Sequence, residues 1–364
     1  MIRRDFLKQA PAAALPVMAQ APVPFPLGYN TYCLRALRWT DSQHLDFAAA
    51  QKLDAIFLQD SVDPLAQDPA HWKEVRAKAA DLKLHLESGG AGILPKSPDQ
   101  IDASIATLRK NIIRAQALGS PIVRAVIASE RASLPKGVPP EAHLDTILKI
   151  LKAVRQQVLD AHVKIAIEVH KDFSAWEHRQ LIETAGHDMA GSYLDTGNPV
   201  FMMEDPLTTV EELGKYAVTL HLRDSVVYET KRGIAVQWVP LGEGVVDFGQ
   251  ILARARELCP QVHVYIKPIT GRPPAILPIY ETGFWKDYQR TRAHDLARFL
   301  KLAREGRPYE GHVVIEDLQN RVVPPHFVEA VKYQQREHME RSIAYGKEKL
   351  NLGRRWRAHS AVTA

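Results

Sequence analysis

The sequence predicts an α/β fold, specifically a (β/α)8 TIM barrel, and three observations carry that prediction. From Leu27 onward, short apolar strand candidates alternate with amphipathic helical stretches. Strand starts recur 26 to 45 residues apart, the length of a strand–helix unit with its loops. No glycine-rich phosphate turn follows the first strand candidate, where Asn30-Thr31-Tyr32-Cys33 stands instead, which disfavours a doubly wound open sheet. Eight units fit a barrel of roughly 250 residues, whose active site lies at the C-terminal ends of the strands.

The eight strand candidates are Leu27–Leu34, Ala55–Gln59, Leu84–Ser88, Ile122–Ile127, Val163–His170, Gly191–Asp195, Ala217–Arg223 and Val262–Ile269. They are rich in Val, Ile and Leu, and several are apolar on consecutive residues, as strands buried on both faces must be. Gly89-Gly90-Ala91-Gly92 follows the third strand without GxGxxG spacing and reads as a plain βα loop. The clearest helix opens at Ser97-Pro98, a cap followed by proline at the first helical position. Ile101, Ile105, Leu108 and Ile112 share its apolar face, and Gly119 ends it. Gly306-Arg307-Pro308 breaks the last barrel helix. Beyond it Val328, Val331, Met339, Ile343 and Leu350 keep near-helical spacing, predicting a helix that packs on the barrel or on a second subunit. The expected organisation is therefore an N-terminal leader over 1–21, a barrel over 22–304 and a C-terminal helical extension over 305–364, with the extension as a route to a homo-oligomer.

The leader opens Met1-Ile2-Arg3-Arg4-Asp5-Phe6-Leu7-Lys8, then runs without a charge from Gln9 to Leu34. It resembles a twin-arginine export signal, too weakly apolar and too proline-broken to span a membrane. The expectation is a periplasmic or otherwise exported protein. The net charge of +5 resides largely in the two ends, namely that leader and Arg354, Arg355 and Arg357. The barrel body is thus close to neutral, and neither a basic groove for nucleic acid nor an integral membrane span is visible. Cys33 and Cys259 are too few for a disulfide scaffold or a cysteine-rich zinc site, and read as two buried thiols.

Three successive strand ends carry chemistry-bearing residues. The fifth candidate exits through Glu168, the sixth through Asp195 before Thr196-Gly197-Asn198-Pro199, and the seventh through His221-Leu222-Arg223-Asp224. Alone, a strand-end acid often caps a helix or pairs with arginine. Together, Glu, Asp and His form an N/O donor set suited to Mn, Mg, Co or Zn as a divalent ion, with positions open for substrate oxygens. His170 lies two residues beyond Glu168 on the same side of the strand and is a candidate base or a supporting partner. Trp238, just before Pro240-Leu241-Gly242-Glu243-Gly244, is the aromatic best placed to stack on a sugar face.

These segments, with Ile269-Thr270-Gly271-Arg272-Pro273-Pro274, resemble the xylose isomerase-like barrel family, the sugar phosphate isomerase/epimerase superfamily. The resemblance runs from about Leu27 to Ala303. It implies that Glu168, Asp195 and His221 bind a divalent metal that holds a carbohydrate's adjacent oxygens while a proton moves between carbons. It implies substrate contacts from Glu243 in the Gly-Glu-Gly loop, from Arg124 on the fourth strand and from Arg223. The family's fourth ligand, a glutamate on strand eight that is also an acid/base group, is Lys267 here. Three outcomes follow: a metal on three ligands with Lys267 aside or acting as a base, an ammonium in the metal's place between Glu168 and Asp195, or a binding site without catalysis. Losing one of two bases disfavours epimerisation more than one-base isomerisation or elimination from an oxidised glycoside. No phosphate cradle is visible.

Overall fold

The computed structural model describes residues 23–311, 315–318 and 321–358; the export signal expected over 1–21 lies outside the described residues. The strands are β1 (Leu27–Asn30), β2 (Ala55–Gln59), β3 (His85–Gly92), β4 (Ile122–Val126), β5 (Lys164–Glu168), β6 (Ala190–Asp195), β7 (Ala217–Leu222), β8 (Asp224–Thr230), β9 (Gly233–Val239), β10 (Val264–Ile266) and β11 (Ala275–Leu277). The helices are α1 (Asp41–Ala50), α2 (Pro69–Asp81), α3 (Ile101–Leu118), α4 (Pro140–Asp160), α5 (Ala175–Ala185), α6 (Pro206–Leu213), α7 (Phe248–Leu258), α8 (Ala293–Glu305) and α9 (Pro325–Glu348).

Eight parallel strands close in the order β1-β10-β7-β6-β5-β4-β3-β2, the (β/α)8 barrel the alternation predicts. Strand residues such as Leu27, Ile56, Ile165, Ile167, Leu220 and Val264 are fully buried, which is why the strands read as continuous apolar runs. The first strand is shorter than its apolar run suggested. Asn30 accepts a hydrogen bond from the Tyr32 amide and turns the chain into a 3-10 helix over Thr31–Leu37.

An antiparallel sheet, β8-β9-β11, extends from the seventh strand and was not legible as a separate layer. β8 begins two residues after β7 ends, so the two apolar segments run together in the sequence. Its own small core includes Val227, Ile234, Val236 and Phe299. In the C-terminal extension, α9 buries Val331, Met339 and Ile343, and the latter two join the main barrel core. The basic end is equally tied down, with the Arg354 and Arg355 amides donating to the Asp54 carboxylate beside the N-terminal ends of the strands. Cys33 and Cys259 are buried free thiols.

Candidate active site

Parallel strand pairing gathers side chains from distant parts of the chain at one end of the barrel. Asp195, the last residue of β6, stands opposite His221 across the β6–β7 pair, while Glu168 ends β5 and Arg124 lies mid-β4. Lys267 directly follows β10, and its amide extends the pairing by donating to Leu222 O at 2.9 Å. Glycine at 197 is required by proximity: a Cβ there would sit 2.6 Å from the Arg223 side chain.

The buried charges form one network. Lys267 Nζ donates to Glu168 Oε1 at 2.7 Å and to Asp195 Oδ2 at 3.1 Å. Arg124 Nε donates to the other Glu168 oxygen, Oε2. Arg223 Nη2 lies 3.2 Å from Asp195 Oδ2, and its Nη1 donates to Asn198 Oδ1 at 2.9 Å. Asp195 Oδ1 accepts the Gly197 and Asn198 amides at 3.0 Å each. Burial alone would raise the Glu168 carboxyl, but Arg124 and then Lys267 outweigh it and hold it well below the usual range. Burial lowers Lys267; Glu168 and Asp195 oppose that shift, whereas the Arg223 and Arg124 guanidiniums add to it.

His221 sits between two aromatic rings, stacked on Tyr193 at 3.9 Å and on Tyr265 at 4.7 Å, with Phe57 edge-on at 5.0 Å. Both its ring nitrogens are buried without a hydrogen-bond partner, and burial, with Lys267 adding, keeps the imidazole neutral.

The donor set expected for a divalent ion does not fit one in this arrangement. Every carboxylate oxygen of Glu168 and Asp195 is already committed to a cation or an amide, and an ammonium stands between the two groups. Adding a dication would place it among three cations facing two carboxylates, where like charges at short range and low dielectric repel strongly. Among the described residues, donor atoms of three His, Asp or Glu side chains converge within 4.8 Å at two other places: His85, Glu87 and His263, and Asp41, Asp63 and His71.

Above the network opens a cavity of about 630 Å³, lined by Arg124, Glu168, His170, Arg223, Trp238 and Lys267 among others. Asp195 and His221 lie behind this lining. Burial pushes His170 down to about 4 against the pull of Glu168 and Asp172, so it is neutral at pH 7, and its Nδ1 has no partner. Trp238 donates from Nε1 to Gly197 O at 3.2 Å and packs against Phe201; Arg223 lies 4.5 Å and Lys171 5.3 Å from its ring centre. The indole thus bears cations where a sugar face was expected.

Glu243 departs furthest from its expected place. Its carboxylate is held by Arg341 of α9 and by Tyr309, away from the cavity lining. The reason is tertiary: Asp224 accepts the Gly242 and Gly244 amides at 2.9 and 3.0 Å, and the C-terminal helix lies against the loop they anchor. Gly242 has φ +85°, and a Cβ there would meet the Tyr345 ring of that helix at 2.4 Å. Sequence reasoning also passed over Tyr193, Asn198, Gln59 and Lys171. The Asn198-Pro199 turn was visible, but that its amide would bridge Val169 O and Arg223 depended on how β5, β6 and β7 align.

Fold and site together define a (β/α)8 barrel with a buried polar centre at its C-terminal strand ends. Residues 45–259 match the family described as xylose isomerase-like TIM barrel, and the chain belongs to that family. Its solved structural neighbours include D-psicose 3-epimerase in the presence of D-fructose, at 14% identity and TM-score 0.56, covering 88% of this chain and 98% of that one. Another is the IOLI protein with a binding zinc atom, at 16% identity and TM-score 0.54, covering 76% and 96%. A third is a protein described as a probable 3-DHS dehydratase from Bacillus anthracis, at 15% identity and TM-score 0.52, covering 66% and 92%. Identities this low speak for the fold. No curated protein matches the chain in sequence.

Proposed function

We propose that this chain acts on a small carbohydrate at the cavity over Glu168 and Lys267, by one-base proton abstraction next to a carbonyl and without a divalent metal. The observation that carries the reading is the Lys267 ammonium, seated between Glu168 and Asp195 where the family resemblance implies a ligand. Two of its three N–H donors are committed to the carboxylates, which leaves one for a substrate carbonyl oxygen. A donor aimed at that oxygen stabilises the enediolate that forms as the neighbouring proton leaves.

Glu168, locked between Arg124 and Lys267 and held well below the ordinary carboxylate pKa, is a poor base. His170, on the cavity wall beside Glu168 and not tied up in an ion pair, is the group left to take the proton. One base permits isomerisation on one face, or elimination of a β-substituent from an oxidised sugar; two-base epimerisation lacks its second group. Both epimerase and dehydratase names occur among proteins of this fold. Transfer to an exported compartment, as the leader predicts, agrees with an unphosphorylated substrate.

The test is solvent deuterium incorporation, followed by NMR, into ketoses, aldoses and keto-glycosides with EDTA present. Exchange should persist in EDTA, disappear in His170→Ala and fall in Lys267→Met. Its acid limb should lie near pH 4, with exchange lost below it as His170 protonates. Exchange that needs added Mn²⁺ would overturn the metal-free reading. A second reading, carbohydrate binding without turnover, is favoured by the saturation of both carboxylates; it is supported if sugars bind but no deuterium enters.

A further inference from the structure

The cavity over the ion-pair network exceeds a sugar in size, and its walls are of two kinds. At about 630 Å³ it has the volume that receives a drug-sized ligand, and a single pyranose would leave much of it to water. At and near the strand ends the lining is polar, with Arg124, Glu168, His170 and Lys267. Beyond the strand ends one wall is apolar. Val126 closes β4, Phe201 comes from the turn after β6, and Ile269, Pro273 and Ala275 follow β10. Phe201 is half-buried, and Pro273 and Ala275 are exposed, so apolar surface is left for a ligand to cover.

The antiparallel sheet beside the barrel holds this wall in place. Ala275 pairs with Val236 of β9, and Gln237 of the same strand donates from Nε2 to Arg272 O at 2.8 Å. Trp238 backs Phe201, with ring centres 5.0 Å apart. The polar groups on this side are already engaged. The Gln237 amide is spent on Arg272 O, the Ser129 hydroxyl donates to Ser133 Oγ at 3.0 Å, and Arg272 donates to Asp317 O. Lys171 Nζ lies 3.3 Å from Glu130 and 5.3 Å from the ring centres of Phe201 and Trp238. A second sugar unit would bring hydroxyls that lose water here without gaining partners, which is costly. An apolar group carries no such cost and gains by covering the wall.

We infer that the cavity takes a glycoside, with an apolar aglycone the size of an aromatic ring on Val126, Phe201, Ile269, Pro273 and Ala275. The inference rests on the carbohydrate reading above and names its substrate class. The sugar occupies the polar end over Glu168 and Lys267, and the aglycone extends along the wall that the antiparallel sheet supports.

Isothermal titration of the full chain with matched compounds tests this: methyl and para-nitrophenyl D-glucosides in both anomers, their galactose and mannose counterparts, cellobiose, and para-nitrophenol alone. For at least one sugar the nitrophenyl glycoside should bind about tenfold more tightly than the methyl glycoside, the gain from covering one face of a ring. Ala275→Asp, which puts a charge at an exposed position on the apolar wall, should remove that gain and leave the methyl glycoside unchanged. If that variant does not fold, the comparison within the wild-type protein still decides. Equal binding of the nitrophenyl and methyl glycosides would overturn the apolar subsite and leave the carbohydrate reading standing. Cellobiose that binds as tightly as the nitrophenyl glycoside would overturn the aglycone in favour of a second sugar unit. Nitrophenol that binds as tightly as its glycosides would overturn the glycoside assignment. Binding of none of the glycosides would overturn both readings.

Discussion

The two ends of the barrel each bury a glutamate, and the pair behaves in opposite ways. At the C-terminal end Glu168 lies between Arg124 and Lys267, which hold its carboxyl well below the ordinary range against the effect of burial. At the N-terminal end Glu87 has only uncharged or weakly basic company: His85 at 3.5 Å, its ring stacked on His263 at 3.9 Å, with Thr219 and Tyr265 nearby. Burial dominates there and raises the Glu87 carboxyl. One end is a network of ion pairs beneath an open cavity. The other is a nearly neutral polar cluster near the docked C-terminal segment, whose Arg354 and Arg355 amides bind Asp54. Equal burial thus gives a binding floor or a structural plug according to the cations that the neighbouring strands supply.

Removing the glutamates should separate the ends most. Glu168→Ala leaves Arg124 and Lys267 buried without their shared partner, a loss of about 3–5 kcal/mol by urea unfolding. Glu87→Gln, which keeps a polar group among polar neighbours, should cost about 1 kcal/mol. Equal losses would break the comparison.

The next largest effect concerns metal. Lys267→Glu restores the acidic residue that the family resemblance expects and removes the intruding ammonium. Mn²⁺ or Zn²⁺ should then stabilise the variant by about 2.7 kcal/mol at a hundredfold excess over Kd, and leave the wild-type protein unmoved in the same thermal titration. Stabilisation of both alike would show that Lys267 does not guard the site.

The pH dependences of the two ends should have opposite signs. Glu168, depressed in the folded state, contributes stability that is complete above the unfolded carboxylate pKa of about 4.3 and lost as pH falls through the folded value. Glu87, raised in the folded state, does the reverse: its contribution declines as pH climbs from about 4.3 through its folded value. The stability of Glu87→Gln relative to wild type should therefore improve between pH 4 and pH 7. The smallest expected effect is that of His263→Ala, which removes one ring of the stacked pair and should cost about 1 kcal/mol.

Some of the site was readable and some was not, for definite reasons. Glu168, Asp195 and His221 announced themselves because polar residues at the ends of apolar strands are out of place in the local pattern. Lys267 stood out only through the resemblance, as a lysine where the family carries its strand-eight glutamate. Glu243 looked equally promising in its glycine-flanked loop, but Arg341 and Tyr309 claim it from a segment more than sixty positions away. Trp238 was placed near the cavity, while the cations on its ring were invisible because they come from two other strand ends.

The sequence by itself determined the barrel, since strand and helix periodicities are local properties that each segment carries alone. It also determined which end of each strand bears titrating groups. Only the tertiary structure decided their pairing. Lys267 reaches Glu168 and Asp195 from 99 and 72 residues away because barrel closure sets β10 beside β7 and brings β5 and β6 around to face it. The contacts of Arg124, Arg223 and Lys267 with Glu168 and Asp195 exist only in that closed ring.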